Sequence, residues 1–169
     1  MILLLMGTPV CAQVESNDIA LPDAYVFAQG LAGTGTGVAR VGWKPANSRV
    51  SVFVQGVWLK DIDGQDVEGF GGHIGATFDV VKQQNITFME WEVPVMWYVG
   101  AIAGTVKPEN NGWQTSPGVL TGIKLLGNET RKSPFVVVEG WYLPGDSVNN
   151  AFANITSKGR IMVGAGFPF

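Results

Sequence analysis

The chain has 169 residues, which is the length of one domain, and a formal net charge of −3 at pH 7. No cluster of Lys or Arg stands out, so the sequence argues against a nucleic-acid-binding protein. Charged residues make up only 15% of the chain, against roughly 25% in typical soluble domains, while it carries 23 Gly, nine Phe and six Trp. This composition favours thin-walled β-structure with few solvated faces.

The first residues predict a secretion signal. An apolar run, Met1 to Met6, is followed by Val10 and Ala12 at the spacing of small residues that a signal peptidase cleaves after. We therefore expect a shortened signal peptide at 1–12 and one mature domain at 13–169, the alternative being an apolar N-terminal strand. Cys11 would leave with the signal, so the mature chain would have no thiol chemistry. A lipid anchor at Cys11 is disfavoured because Val10, and not Gly or Ala, precedes it.

Apolar and polar residues alternate with a period of two along most of the remaining chain, which indicates β-strands. The longest apolar stretch, 93–104, is only about a dozen residues and contains Pro94, too short for a transmembrane helix. A membrane protein with this sequence would have to be a closed barrel, because only that arrangement satisfies strand backbones in lipid. We predict eight strands, at 24–33, 37–45, 48–60, 69–82, 86–106, 117–127, 134–144 and 157–169.

The predicted connections differ in length on the two sides of the sheet. Short to moderate turns fall at 45–48, 82–85 and 127–133, and longer polar loops fall at 61–68, 107–116 and 145–156. Short turns on one side and longer loops on the other are typical of an outer-membrane barrel with both termini in the periplasm. The tight hairpin at 33–37 is the exception, since it lies on the side of the longer loops.

Alternation does not by itself say which face is inside. A soluble lipocalin-like barrel would turn its apolar face inward and bind a hydrophobic small molecule, whereas a membrane barrel turns that face outward. We favour the membrane barrel because aromatic residues of the apolar face lie near both strand ends, as in the girdles at the two lipid–water interfaces. They are Trp58, Phe70 and Tyr142 toward the longer loops, and Trp43, Phe78 and Phe167 toward the short turns.

The less populated face of the strands carries charges of both signs. In a narrow barrel these charges would have to pair, because an unpaired buried charge is costly. We expect Glu90, Glu92 and Glu139 to accept hydrogen bonds from Arg40, Lys124 and Arg160, in a network that plugs the interior. The full set is Arg40, Lys44, Lys124 and Arg160 against Asp79, Glu90, Glu92 and Glu139.

The segment 159–169, with apolar residues at every second position and Phe169 at its end, resembles the closing strand of outer-membrane β-barrels. Pro168 departs from that pattern by removing a backbone donor. The segment 87–95 is similar to the Glu-x-Pro strand of porin-like small barrels, and the whole mature chain resembles the OmpA/OmpX architecture. The resemblance implies a Gram-negative outer membrane with its lipid and lipopolysaccharide, and recognition by the barrel-assembly machinery. It constrains location far more than activity.

His73 is the only histidine and the one candidate for catalysis. A lipid-modifying barrel enzyme would need a Ser or carboxylate beside it, near the membrane surface. The sequence around it, Gly72-His73-Ile74-Gly75, has no Ser two residues on. We therefore interpret His73 as a lumen histidine that is hydrogen-bonded to a carboxylate.

The loop at 61–68 gathers four carboxylates, Asp61, Asp63, Asp66 and Glu68, around Gly64. Ca²⁺ prefers clustered oxygen ligands, but this spacing is not that of an EF-hand loop. We interpret the segment as a solvated acidic loop, and the sequence predicts no catalytic, cofactor-binding or metal-binding residues.

The function most consistent with these features is that of a non-enzymatic outer-membrane barrel with a structural or surface-interaction role in the cell envelope. An eight-stranded barrel is filled by its own side chains, so the expected state is a plugged monomer that does not conduct. A secreted lipocalin-like barrel and a lipid-modifying enzyme that uses His73 are the alternatives.

Overall fold

The computed structural model describes residues 24–33, 35–59, 68–88, 91–109, 112–127, 133–143 and 160–169. The predicted signal peptide at 1–12 and nearly all of the acidic loop at 61–68 lie outside these residues. Within them no helix is long and apolar enough to cross a bilayer.

The described residues form nine antiparallel strands, of which eight close into a barrel. Each barrel strand pairs with the next along the chain, and the last pairs with the first. The remaining strand is a two-residue element beside the fifth. The predicted eight-stranded, all-β, up-and-down barrel is confirmed. Its strands are β1 (Tyr25–Gly33), β2 (Thr36–Lys44), β3 (Val50–Leu59), β4 (Gly69–Phe88), β5 (Trp91–Pro108), β7 (Gly118–Leu126), β8 (Phe135–Tyr142) and β9 (Arg160–Pro168), with β6 (Gln114–Thr115) as the short addition.

Two of the tight turns form where the sequence predicts them. Gly35, in the β1–β2 hairpin, has φ 61°, and Asn47, in the β2–β3 turn, has φ 54°. Gly and Asn are the residues that most readily adopt this left-handed conformation. In the second turn the Ser48 N–H also donates a hydrogen bond of 3.3 Å to the carbonyl of Pro45.

The predicted turn at 82–85 is wrong. The chain stays in β4 as far as Phe88 and pairs with β5, with register shifts between Asp79 and Val81 and between Val81 and Gln84. Beyond Asp79 on β4 and Val95 on β5, the two strands pair only with each other. This protruding hairpin (80–88 and 91–94) extends past the rim of the barrel, where polar residues such as Gln84 and Asn85 are exposed. Polar composition there reflects solvent exposure and not a change of direction.

Side chains alternate between the two faces of each barrel strand, as a period of two requires. In β3, for example, buried and exposed residues alternate over all ten positions. The inward positions carry the buried apolar cluster together with buried polar and charged side chains. The barrel interior is therefore a mixed core and not a purely polar lumen.

Large inward rings lie over glycines on the neighbouring strand. A Cβ built on Gly42, Gly75 or Gly166 would lie 2.3–2.4 Å from a Phe ring atom, so the ring takes the space that a side chain would need. This alternation of large and small residues fills a narrow barrel without strain. The register places the rings directly opposite these glycines, in the pairs Phe27–Gly42, Phe53–Gly75 and Phe135–Gly166.

Candidate functional site

The outer surface of the barrel is apolar. The six aromatic residues that the sequence predicts to face outward, from Trp43 to Phe167, have 44–58% of their surface exposed. An exposed apolar surface of this extent requires an apolar environment around it. The exposed apolar residues include Val41, Val54, Ile74, Ile123, Val136, Val138, Ile161 and Val163.

Aromatic residues form the two predicted girdles on this surface. Trp58, Phe70 and Tyr142 lie toward the loop ends of their strands and are 52–58% exposed. Trp43, Phe78 and Phe167 lie toward the turn ends and are 44–55% exposed. Rings at both ends of an apolar band match the positions of two lipid–water interfaces.

A polar group on this surface is satisfied within the protein. The Thr121 hydroxyl donates a hydrogen bond of 3.1 Å to the Tyr98 carbonyl and accepts one of 2.9 Å from the Trp97 indole N–H. Such internal pairing is what a group facing hydrocarbon needs, since no water is there to replace it. The chain is a transmembrane β-barrel.

An ion pair between Arg40 and Glu139 lies at the centre of the interior. The guanidinium donates two hydrogen bonds to the carboxylate, Nη1 to Oε2 at 2.8 Å and Nη2 to Oε1 at 2.7 Å, and both side chains are almost fully buried. Arg40 also donates from Nε to Gln55 Oε1 at 2.9 Å and lies 4.1 Å from the centroid of the Phe53 ring. The sequence predicts both residues in the interior network without assigning individual pairs, and the structure joins them to each other.

Two further donors complete the shell of Glu139. The Tyr98 hydroxyl donates to Oε2 and the Trp141 indole N–H donates to Oε1. Four donors on one buried carboxylate are enough to compensate for its loss of water. We refer to Arg40, Gln55, Tyr98, Glu139 and Trp141 as the central network.

Gly122 makes the contact between Tyr98 and Glu139 possible. These two residues lie on β5 and β8, and Gly122 lies between them on β7, opposite both. A Cβ on Gly122 would be 2.4 Å from the Tyr98 hydroxyl oxygen. The phenol can therefore cross over β7 only because this position has no side chain.

A second ion pair joins Lys44 to Asp79 near the turn end of the barrel. Both side chains are about 3% exposed. The sequence predicts both residues in the interior but does not predict that they pair with each other. Their strands, β2 and β4, are separated by β3, so the pair spans one strand of the barrel wall.

Lys124 is held by aromatic rings. Its Nζ lies 5.0 Å from the centroid of the Tyr98 ring and 5.1 Å from those of Phe27 and Phe135. Among the residues that the structure describes, no carboxylate lies within 4.0 Å of it. The prediction that a glutamate pairs with Lys124 is wrong in this part of the chain, because three ring faces supply the electrostatic partner.

One other predicted position differs in the structure, that of Glu92. Glu92 is exposed in the protruding hairpin, where it accepts a hydrogen bond of 3.5 Å from Asn85, so its predicted lumen position is wrong. Arg160 donates to Thr36 Oγ1 at 2.7 Å and is half-buried. The side chain of Glu90 lies outside the described residues.

Apolar side chains make up most of the loop-side half of the interior, where the polar side chains of His73 and Ser116 are also buried. The apolar side chains come from most of the strands and are at most 6% exposed. They belong to the same buried cluster as the rings of the turn-side half. The residues are Leu31, Val38, Val57, Leu59, Ile102, Val106, Leu120 and Met162.

His73 lies in the interior, as predicted, but without the predicted carboxylate. Neither ring nitrogen has a hydrogen-bond partner among the described residues, and the Trp141 ring lies edge-on at 6.2 Å between centroids. An activated hydrolase histidine needs a nucleophile on one nitrogen and an orienting group on the other. Among the described residues, no three His, Cys, Asp or Glu side chains are placed to hold a metal ion.

No protein-family model and no curated protein matches the chain. Among the solved structures that are similar to it are two crystal structures. One is the crystal structure of the N-terminal β-barrel domain of Pseudomonas aeruginosa OprF, with 16% identity, a TM-score of 0.45, and coverage of 86% of this chain and 96% of that one. The other is the crystal structure of Neisserial surface protein A, with 12% identity, a TM-score of 0.46, and coverage of 86% of this chain and 92% of that one.

Proposed function

We propose that the protein is a non-enzymatic barrel of the bacterial outer membrane, with a structural or surface-interaction role in the envelope and an interior that does not conduct. The observation that carries this proposal is the contrast between an apolar outer surface and a buried, bonded central network. Outer-membrane proteins are the class of membrane protein that crosses the bilayer with strands of this kind.

The closed interior follows from the size of the barrel and from what it contains. Eight strands leave room for side chains but not for an aqueous channel. Here the central network occupies the middle of the interior, and apolar side chains make up most of its loop-side half. An ion that entered would have to break the Arg40–Glu139 pair or leave water for an apolar layer.

The two alternatives predicted from the sequence receive less support. A lipocalin-like carrier would turn its apolar residues toward a central cavity, whereas here the predicted apolar face is exposed. A lipid-modifying enzyme would need an activated His73 near the membrane surface, whereas this side chain is 3% exposed and has no hydrogen-bond partner among the described residues.

The partners that we propose are those of the membrane itself. Outer-membrane lipid and lipopolysaccharide would cover the apolar band between the two girdles. The barrel-assembly machinery would insert the chain, and β9 would pair with β1 to close the barrel, which we propose is a monomer.

Two measurements test this proposal. The folded protein should partition into detergent and migrate differently on a gel before and after heating, because a closed barrel resists unfolding by detergent until it is boiled. In planar bilayers the purified barrel should give no conductance steps. Partitioning into the aqueous phase would contradict the membrane location, and regular conductance steps would contradict the closed interior.

A further inference from the structure

A row of polar side chains crosses four neighbouring strands of the barrel interior in register. Gln29 on β1 lies opposite Arg40 on β2, Arg40 lies opposite Gln55 on β3, and Gln55 lies opposite His73 on β4. Side chains directly opposite each other on antiparallel strands are close enough to interact. All four are buried, with 3–5% of their surface exposed.

The row continues to the loop end of the barrel. His73 lies opposite Gly104 on β5, and the Ser116 N–H donates a hydrogen bond of 2.8 Å to the Gly104 carbonyl. Ser116 lies between β6 and β7 on the side of the longer loops, and it is also buried. We refer to Gln29, Arg40, Gln55, His73 and Ser116 as the polar row.

Every buried side-chain nitrogen or oxygen without a hydrogen-bond partner, in the part of the chain that the structure describes, belongs to the polar row. Buried polar atoms in native proteins nearly always have a partner, either protein or ordered water. Scattered exceptions would not point to a ligand, but here all of them fall on one line. The six atoms are Gln29 Nε2 and Oε1, Gln55 Nε2, His73 Nδ1 and Nε2, and Ser116 Oγ.

The chemistry of these atoms identifies the partner. Amide nitrogens donate, the amide oxygen accepts, and the imidazole and the hydroxyl can each do both. An anion would satisfy only the donors and a metal cation only the acceptors. Water satisfies both, and buried waters make two to four hydrogen bonds of this kind.

We propose that the polar row binds a file of internal water molecules that enters the barrel at its loop end, beside Ser116. The file ends inside the barrel. Beyond Gln29 the next residue in register is Gly166, which lies under the Phe135 ring. The interior is thus hydrated from one side only, which goes beyond the closed barrel proposed above and does not depend on the protein's surface role.

Hydroxyl-radical footprinting of the barrel in lipid nanodiscs tests the proposal. Brief X-ray radiolysis makes radicals from bound as well as bulk water, and mass spectrometry locates the oxidised residues. We expect oxidation at His73, although it is buried. Met162, equally buried but in the apolar cluster, should stay unoxidised although methionine is the more reactive residue. No label at His73, or equal labelling of His73 and Met162, would overturn the water file.

A matched pair of variants tests the route. Ser116→Val replaces the hydroxyl with a methyl group and adds a second methyl at the loop end, and we expect the His73 label to be lost. Thr115→Val replaces the hydroxyl with a methyl group on the adjacent, exposed side chain and should leave the label intact. Heat-modifiable migration establishes that both variants fold. A His73 label that persists in folded Ser116→Val, or is lost equally in both variants, would overturn the loop-end route.

Discussion

Val138 and Glu139 are neighbours on β8 and face opposite surroundings. Val138 is 42% exposed on the apolar outer surface, whereas Glu139 has no exposed surface and receives hydrogen bonds from Arg40, Tyr98 and Trp141. The comparison shows that burial within this barrel is not the same as an apolar environment. A negative charge is stable where hydrogen-bond donors surround it, and it is excluded where lipid surrounds it.

The largest effect should come from removing the carboxylate. Glu139→Ala leaves Arg40 buried without its partner, so we expect a loss of about 3–5 kcal/mol in the free energy of unfolding. A denaturant titration in lipid vesicles measures this loss. Planar-bilayer recordings on the same variant should show whether conductance steps appear once the central network is broken. If Glu139→Ala keeps wild-type stability and gives no conductance steps, the central network does not stabilise the interior.

The opposite face of the same strand provides the second test. Val138→Arg places a charge near the middle of the lipid-facing band and should cost about 2–4 kcal/mol of membrane-folded stability. Gln84→Arg, in the exposed protruding hairpin, is the control and should cost little. Equal losses for the two variants in refolding titrations would argue that no bilayer surrounds Val138.

A smaller loss of stability is expected from filling the space that Gly122 leaves for the Tyr98 side chain. Gly122→Ala places a methyl group 2.4 Å from the Tyr98 hydroxyl oxygen, so the phenol must move away from Glu139. Overpacking of this kind costs about 1–3 kcal/mol. Gly56→Ala is the matched control, because a Cβ there meets nothing within 4 Å. Similar titration midpoints for both variants would show that the phenol contact contributes little.

The smallest effect should follow from removing the other buried cation. Lys124→Met gives up cation–π contacts worth about 2 kcal/mol when desolvated, but it also removes an ammonium that is costly to bury. We expect the stability to change by about 1 kcal/mol or less. Arg40→Met, measured in the same titration, should cost far more because it strands Glu139. A large loss for Lys124→Met would point to a carboxylate partner.

The facing of the strands could be predicted from the sequence because alternation with a period of two depends only on neighbouring residues. Trp43, Phe78 and Phe167 face outward, and Arg40, Asp79 and Glu139 face inward, as predicted. The closing pair of β1 with β9 also follows once eight antiparallel strands must leave no free edge in lipid.

The partners inside the barrel could not be predicted, because they depend on how the strands are staggered around it. Asp79 pairs with Lys44, and Lys124 lies among rings, although all three share the inward face. The polar segment at 82–85 suggests a turn because exposed strand residues beyond the rim have the composition of a turn. The polar row depends on the register between strands, which the sequence does not contain.

The pairing of β1 with β9 has a consequence for how the barrel can form. It joins Phe27 to Pro168 and Gly33 to Met162, segments that lie near opposite ends of the described chain. These contacts close the longest loop among the described strands. Such contacts form slowly, because the chain must lose conformational entropy before the contacts can stabilise it. Until they form, two strand edges stay unpaired, so closure and burial in lipid should occur as one cooperative event.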